Sequence, residues 1–385
     1  MNNKLGIKMA IGAICFVNLL YMVPSVAVSG MVAYFTDYSE NTVLLLLTLP
    51  NLTGIAGILA EPLLERWFSR RTLSLGALTV FLAGGLSSYL FHDQLPVLIG
   101  CSAVMGVAYG MQSTVFPLLV SGSFEGQERN TVMGVVTGLL QLGRVASTLM
   151  GGVLATGQWY NVYLCFLMVL VPVALGLAFL PRTKAQGGTA AIHTESWYDW
   201  GAMVRLSAVG FAFAALYYVV NTHTSLYVEQ NGLGDSVLTG IITAVASVAA
   251  GVVSASFGVL QRYTGSFTMA WALGLLAAGY LIGGIWVSVP GALILGLGAA
   301  LAMGLYAPCL MLGFARCASA DRLPGATAVV LTIVNVGYFA SPYLTGWMGQ
   351  LLGGGSHLVF LAAGALALLC SGLSLLANLK EPALV

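Results

Sequence analysis

Charge is what this chain has least of. Only 7% of its 385 residues are charged, against 58% hydrophobic, a balance that no soluble chain of this length needs. Acids are scarcest where the chain is most apolar: no Asp lies inside a long hydrophobic run, and Glu61 is the one Glu that does. There is no GxxxxGK[ST] segment, so direct use of ATP is not expected. Neither His-Glu-x-x-His nor Gly-x-Ser-x-Gly occurs, and too few polar residues remain for a membrane enzyme site. The six cysteines, Cys15, Cys101, Cys165, Cys309, Cys317 and Cys370, lack metal-type pairing and suggest no disulfides. No cofactor is expected, and a net charge of +1 gives no reason to expect nucleic acid as a partner.

What the chain has is long apolar runs. A bilayer core about 30 Å thick takes roughly 20 apolar residues per helix, and runs of that kind fall at 9–34, 42–64, 72–91, 95–120, 131–157, 160–180, 204–228, 236–260, 267–288, 291–315, 324–347 and 356–379. Continuous rather than alternating character makes them helices, not membrane strands. The expected fold class is an all-α membrane protein with twelve transmembrane helices in two pseudo-symmetric six-helix bundles. The first run, with Lys4 and Lys8 before it, is longer than a signal-peptide core and reads as a retained helix.

With the N-terminus inside, thirteen of the fourteen Lys and Arg residues fall in cytoplasmic segments and none in the outer loops. That positive-inside pattern puts both termini in the cytoplasm of a cell-membrane protein. The exception is Arg144.

Residues 182–203 form the longest polar stretch and read as a cytoplasmic linker, with Trp197, Tyr198 and Trp200 as interfacial anchors. It divides the chain into bundles at 1–181 and 204–385. The halves look related: GRVASTLMGG (143–152) and GYFASPYLTG (337–346) share Gly, Ala and Ser at their first, fourth and fifth positions, each in the fifth run of its half. That offset pairs Gln141 with Asn335 and Arg144 with Tyr338. Six plus six helices with an internal repeat is secondary-transporter architecture, with the solute site near mid-membrane between repeats.

The chain resembles the major facilitator superfamily over nearly its whole length. Between runs two and three, Glu65-Arg66-Trp67-Phe68-Ser69-Arg70-Arg71 is similar to the family's loop motif Asp-Arg-x-Gly-Arg-Arg-Arg, with Glu for Asp, Phe for Gly and Ser for one Arg. In run five, Gly143-x-x-x-Ser147-Thr148-x-x-Gly151-Gly152 resembles the Gly-x-x-x-Gly-Pro-x-x-Gly-Gly pattern of drug and proton antiporters, with Ser-Thr replacing Gly-Pro. The arginine that many members carry early in helix four would fall near Ser102. By this resemblance, Glu65, Arg66, Arg70 and Arg71 help gate the transporter by latching its halves in the outward-open state.

Arg144 lies some 20 Å from the polar residues that bracket its run, too deep to snorkel. An unpaired arginine at helix centre costs about 3 kcal/mol even on gentle insertion scales, so it needs a partner. Thr137, Gln141, Arg144 and Thr148 share one helical stripe beside Gly134 and Gly138, which offer a close-packing surface. One reading has Arg144 grip a carboxylate or phosphate of the solute with paired guanidinium donors; the other has it paired permanently with a protein acid or with freed carbonyls. Acids being scarce, the first is favoured.

Further solute-lining candidates are Asn18, Tyr21, Asn51, Tyr109, Gln112, Tyr217, Asn221, Tyr306, Asn335 and Tyr338; taken singly, such a residue is more often an interhelical hydrogen bond. His223 and Glu61 are the candidates for proton coupling. Against these stand a histidine that is merely hydrogen-bonded and a glutamate near enough to the inner surface for water to reach it. The expectation is a monomeric secondary transporter of a small organic solute, anionic or zwitterionic, embedded in the lipid bilayer. A multidrug efflux antiporter, and a non-transporting membrane sensor or assembly protein on the same fold, are the rivals.

Overall fold

The computed structural model describes residues 2–124, 126–181, 198–314, 317, 323–353 and 355–380. Among them, twelve helical segments are long and apolar enough to cross a membrane, and each overlaps one of the twelve runs above. Linker residues 182–197, with Arg316 and Arg322, lie outside the described residues.

Two compact units emerge. The first comprises residues 1–188 together with 235–244. Its helices are α1 (Asn2–Val17), continued by a 3-10 segment (Leu20–Ala27) and α2 (Val28–Tyr34), then α3 (Glu40–Leu64), α4 (Arg70–Leu90), α5 (Leu95–Ser123) and α6 (Gly126–Ala155). A second 3-10 segment (Trp159–Val169) leads into α7 (Leu170–Phe179). The second unit comprises residues 189–234 and 245–385. Along the chain follow α8 (Trp200–Tyr217), α9 (Val219–Gln230), α10 (Ser236–Ala255), α11 (Phe257–Thr264), α12 (Thr268–Ile285), α13 (Val289–Phe314), α14 (Leu323–Leu352) and α15 (Ser356–Lys380).

Local chemistry sets the helix starts. Ser39, Ser69 and Asp199 cap α3, α4 and α8 by accepting from the N–H groups of Thr42 (3.3 Å), Thr72 (3.2 Å) and Ala202 (2.9 Å). Two spans are broken partway. In the first, the α-ladder stops at Val17 and continues as 3-10 structure around Pro24, which has no N–H to give and crowds the carbonyl one turn back. In the seventh, the break falls at Tyr218, between α8 and α9.

Bilayer gives no hydrophobic force between helices, so close packing depends on small residues. On α5, a side chain at Gly110 would strike the backbone of Gly54, and one at Gly57 of α3 would strike that of Val107 and Met111. Gly143 of α6 lies against the backbone of Phe16 in the same way, just before the break in the first span. Gly138, expected to provide close packing on α6, instead has open space around it and is exposed. The contact has moved along the helix to Gly143 and Gly152, because the stretch facing a neighbouring backbone depends on where the helices cross.

Candidate functional site

In the first unit, five of the expected polar residues come together. The rings of Tyr21 and Tyr109 meet at a tilt of 39° with centroids 4.3 Å apart, and the Tyr21 hydroxyl donates to Asn51 Oδ1 at 3.2 Å. Asn18 lies one turn before Tyr21 at the helix break, and with Tyr109 and Gln112 it lines a water-sized cavity between α1, α4 and α5. Gln112 is buried and donates from Nε2 to Ser74 Oγ at 3.0 Å. Ser74 was not foreseen, since nothing distinguishes a lone serine in an apolar run until its neighbour is known.

Arg144 is half-buried on α6, as is Gln141 one turn earlier. The Arg144 carbonyl accepts from the hydroxyls of Ser147 (3.1 Å) and Thr148 (2.8 Å). Thr148, expected to continue the polar stripe, is fully buried with its hydroxyl engaged by the backbone. The side chain of Thr137 lies outside the described residues.

In the second unit an aromatic group surrounds the break in the seventh span. Tyr338 of α14 lies 5.2 Å from Tyr218 and 6.5 Å from Tyr217, ring to ring. Asn335, one turn before Tyr338, bonds back to the Leu331 carbonyl at 2.8 Å, and Asn221 is buried three residues past Tyr218. Tyr306 is fully buried, stacked on Phe213 at 3.8 Å, with its hydroxyl on the Gly210 carbonyl at 3.4 Å; its contacts are those of a packing residue. Tyr280 of α12, absent from the sequence candidates, sends its hydroxyl into the break. It donates to the carbonyls of Leu216 and Tyr217, both 3.1 Å away, and accepts from the Val220 N–H at 3.2 Å. A lone tyrosine in AAGYLIGG was its only sequence signal.

His223 is buried, its Nδ1 2.8 Å from the Thr222 hydroxyl. Glu61 is also buried, at 3% exposure, and its Oε1 has no hydrogen-bond partner among the described residues. The expectation of a water-reached carboxylate is therefore corrected: helix packing covers Glu61 despite its position near the end of its span. Beside it, Glu65 pairs with Arg70, whose Nη1 also donates to the Leu118 carbonyl at 3.3 Å. Arg71 donates to the Leu177 carbonyl at 2.5 Å, and Arg66 is exposed. Lys4 and Lys8 both pair with Glu128, at 3.0 and 2.7 Å, tying α1 to the start of α6. These two ammonium groups, Lys8 first, hold the Glu128 carboxyl below the usual carboxylate range. All six cysteines are free, and the described residues contain no group of three or more His, Cys, Asp or Glu placed to hold a metal ion.

Twelve apolar helices with polar groups gathered at breaks in the first and seventh spans define a multi-pass membrane protein of the secondary-transporter class. The profile of the Major Facilitator Superfamily matches residues 9–316, and the chain belongs to that family; family and fold are those of transporters rather than enzymes. Over 156 residues it is 28% identical to the multidrug efflux pump Tap of Mycolicibacterium fortuitum, a match spanning 39% of this chain and only 37% of that relative. Among solved structures, a bacterial homolog of the human lysosomal transporter Spinster, inward-facing and unoccupied, is similar with a TM-score of 0.78 at 15% identity, covering 98% of this chain and 97% of that one. A POT peptide transporter in complex with sulfate gives a TM-score of 0.77 at 12% identity over 98% and 94% of the two chains. Likenesses this remote in sequence establish the fold alone.

Proposed function

We propose that the protein is a secondary transporter that moves a small organic anion or zwitterion by alternating access, with Arg144 as the anchor for the solute's acidic group. The observation that carries this reading is the arginine itself: a half-buried cation well inside α6, and the one of the chain's fourteen Lys and Arg residues that falls in the middle of a long apolar run of the sequence. Intramembrane ionisable groups are expensive and by default functional. Gln141, Asn18, Tyr21, Tyr109 and Gln112 would orient the solute from the first bundle, and Tyr217, Asn221, Asn335 and Tyr338 from the second; Tyr306, packed on Phe213, drops out of the set. The bundles 1–181 and 204–385 would rock about the linker 182–203, with the Glu65–Arg70 pair, Arg66 and Arg71 as the inner latch. Glu61 and His223 are the proton-coupling candidates; facilitated diffusion or anion exchange would need neither. The protein would work as a monomer in the cell membrane with both termini cytoplasmic.

A second reading, multidrug efflux, is favoured by the likeness to Tap. Organic cations would want a buried carboxylate, which Glu61 could supply.

The deciding experiment is ligand-dependent thermal stability of the purified protein against organic anions, short peptides, sugars and cationic drugs, alongside Arg144→Ala. A ligand that binds only the native state raises its stability by mass action. Anions that stabilise the wild type and not the variant support the anion reading. Cations or neutral compounds that stabilise both equally overturn it and put efflux first.

A further inference from the structure

Basic side chains are all but missing from one end of the first bundle. Residues 9–65, 72–128 and 145–181, which include the ends of its spans opposite Lys4 and Lys8, contain no Lys or Arg, and His92 is their one histidine. Acids are present there: Asp93 follows His92, and Asp37 and Glu40 lie where α2 passes into α3.

His92 sits in the connection between α4 and α5, and three segments close on its ring. Nδ1 is 2.9 Å from the Tyr89 carbonyl at the end of α4, and Nε2 is 3.3 Å from Asp93 Oδ1. That same oxygen accepts from the Tyr34 hydroxyl at the end of α2. The imidazole face stacks on Tyr160, at the start of the second 3-10 segment, with centroids 3.7 Å and planes 22° apart. Trp159 lies edge-on at 6.2 Å and packs in turn on Tyr34 and Phe35, at 5.5 and 5.6 Å. A carbonyl and an ionised carboxylate can only accept, and a neutral imidazole has a single N–H to give. With that N–H on the Tyr89 carbonyl, the lone pair of Nε2 would face the Asp93 oxygen. Only the imidazolium presents a donor to each, and its charge over the Tyr160 ring adds a cation–π contact.

We propose that His92 is a proton-binding site, and that its imidazolium, seated between the Tyr89 carbonyl, Asp93 and the Tyr160 ring, clasps together the ends of α2, α4 and the second 3-10 segment. The proton enters from solvent at Nε2, on the side of Asp93, whose side chain is 66% exposed. An ion pair this open adds little to global stability, so the proton acts locally, on how firmly Trp159 and Tyr160 are held against Tyr34. Histidine changes charge between about pH 5 and 8; the clasp closes in mild acid and loosens above neutrality. With both termini cytoplasmic, as proposed above, this end faces outward and the clasp reads external pH. The proton site itself holds for either orientation and is separate from the roles of Arg144, Glu61 and His223.

The test is nitrogen NMR of the full chain in lipid nanodiscs with labelled histidine, His92 being assigned by the signal that disappears in His92→Gln. At about pH 5.5 both ring nitrogens should carry hydrogen, and at about pH 8 the ring should keep the hydrogen on Nδ1 and lose the one on Nε2, since the hydrogen bond to Tyr89 sets the tautomer. A ring with a single N–H in acid, or a neutral ring that keeps its hydrogen on Nε2, overturns the proposal. Hydrogen exchange of residues 159–163, corrected for its intrinsic pH dependence, reads the clasp. It should speed up severalfold from about pH 5.5 to 8 in the wild type and be fast at both in His92→Gln. Equal wild-type protection at the two pH values, or the same pH dependence in the variant, refutes the clasp. Neither readout involves the solute, so failure of the Arg144 anchor reading would leave both unchanged.

Discussion

Arg144 and the polar residues around the broken spans show how much a single side chain can decide in an apolar setting. If the guanidinium grips the solute through paired donors, charge alone is not sufficient, because lysine offers a point charge without the planar fork. Arg144→Lys should therefore keep anion binding measurable but weaken it about tenfold or more, equivalent to roughly 1.4 kcal/mol, and Arg144→Ala should abolish it; equilibrium binding of the stabilising anion checks both. The residue scale is also where the sequence was least complete. Arg144, Gln112 and Tyr338 could be picked out because polar groups are rare in these runs. Ser74 and Tyr280 could not, since their roles come from the helix opposite, Ser74 beneath Gln112 and Tyr280 inside the break of the seventh span.

At the scale of the helix, glycine position rather than glycine content governs packing. Gly143 meets the backbone of Phe16, whereas Gly138 on the same helix meets nothing. Gly143→Ala should destabilise by about 1–3 kcal/mol through overpacking. Gly138→Ala should be neutral or slightly stabilising, by up to about 1 kcal/mol of helix propensity. Thermal unfolding of the two variants in the same detergent separates them, and equal losses would mean that α6 does not approach α1 at Gly143. Helix starts are legible for simple reasons: Ser39 and Ser69 stand just before apolar runs, and Ser69→Ala should cost about 1 kcal/mol as a lost cap. The break near Asn18 was legible only through Pro24 further along the same span, and nothing in YYVVNTHTSLY marks the one at Tyr218.

For the molecule as a whole, charges are few, and one cluster of them ties distant parts of the chain. Lys4 and Lys8 hold Glu128 across more than a hundred residues. Because the folded carboxyl titrates below its unfolded value, near 4.3, the pair's contribution is fully present above that value and is lost as pH falls through the lower, folded one. Thermal stability of the wild type and Glu128→Gln should therefore differ at neutral pH and converge in acid, and also in high salt, since the group is open to solvent. A difference that persists in acid would assign the effect to something other than this carboxylate. The sequence by itself determined that the chain crosses a membrane twelve times, where the spans lie, and that it belongs to a transporter family, because run length and the cost of exposing backbone in lipid leave continuous apolar segments one solution. Tertiary structure decided which polar groups meet. Whether Glu61 is wet or buried, which glycine touches a backbone, and what satisfies a broken helix all depend on the register and crossing of neighbouring helices, and helical periodicity along one strand of sequence carries no information about either.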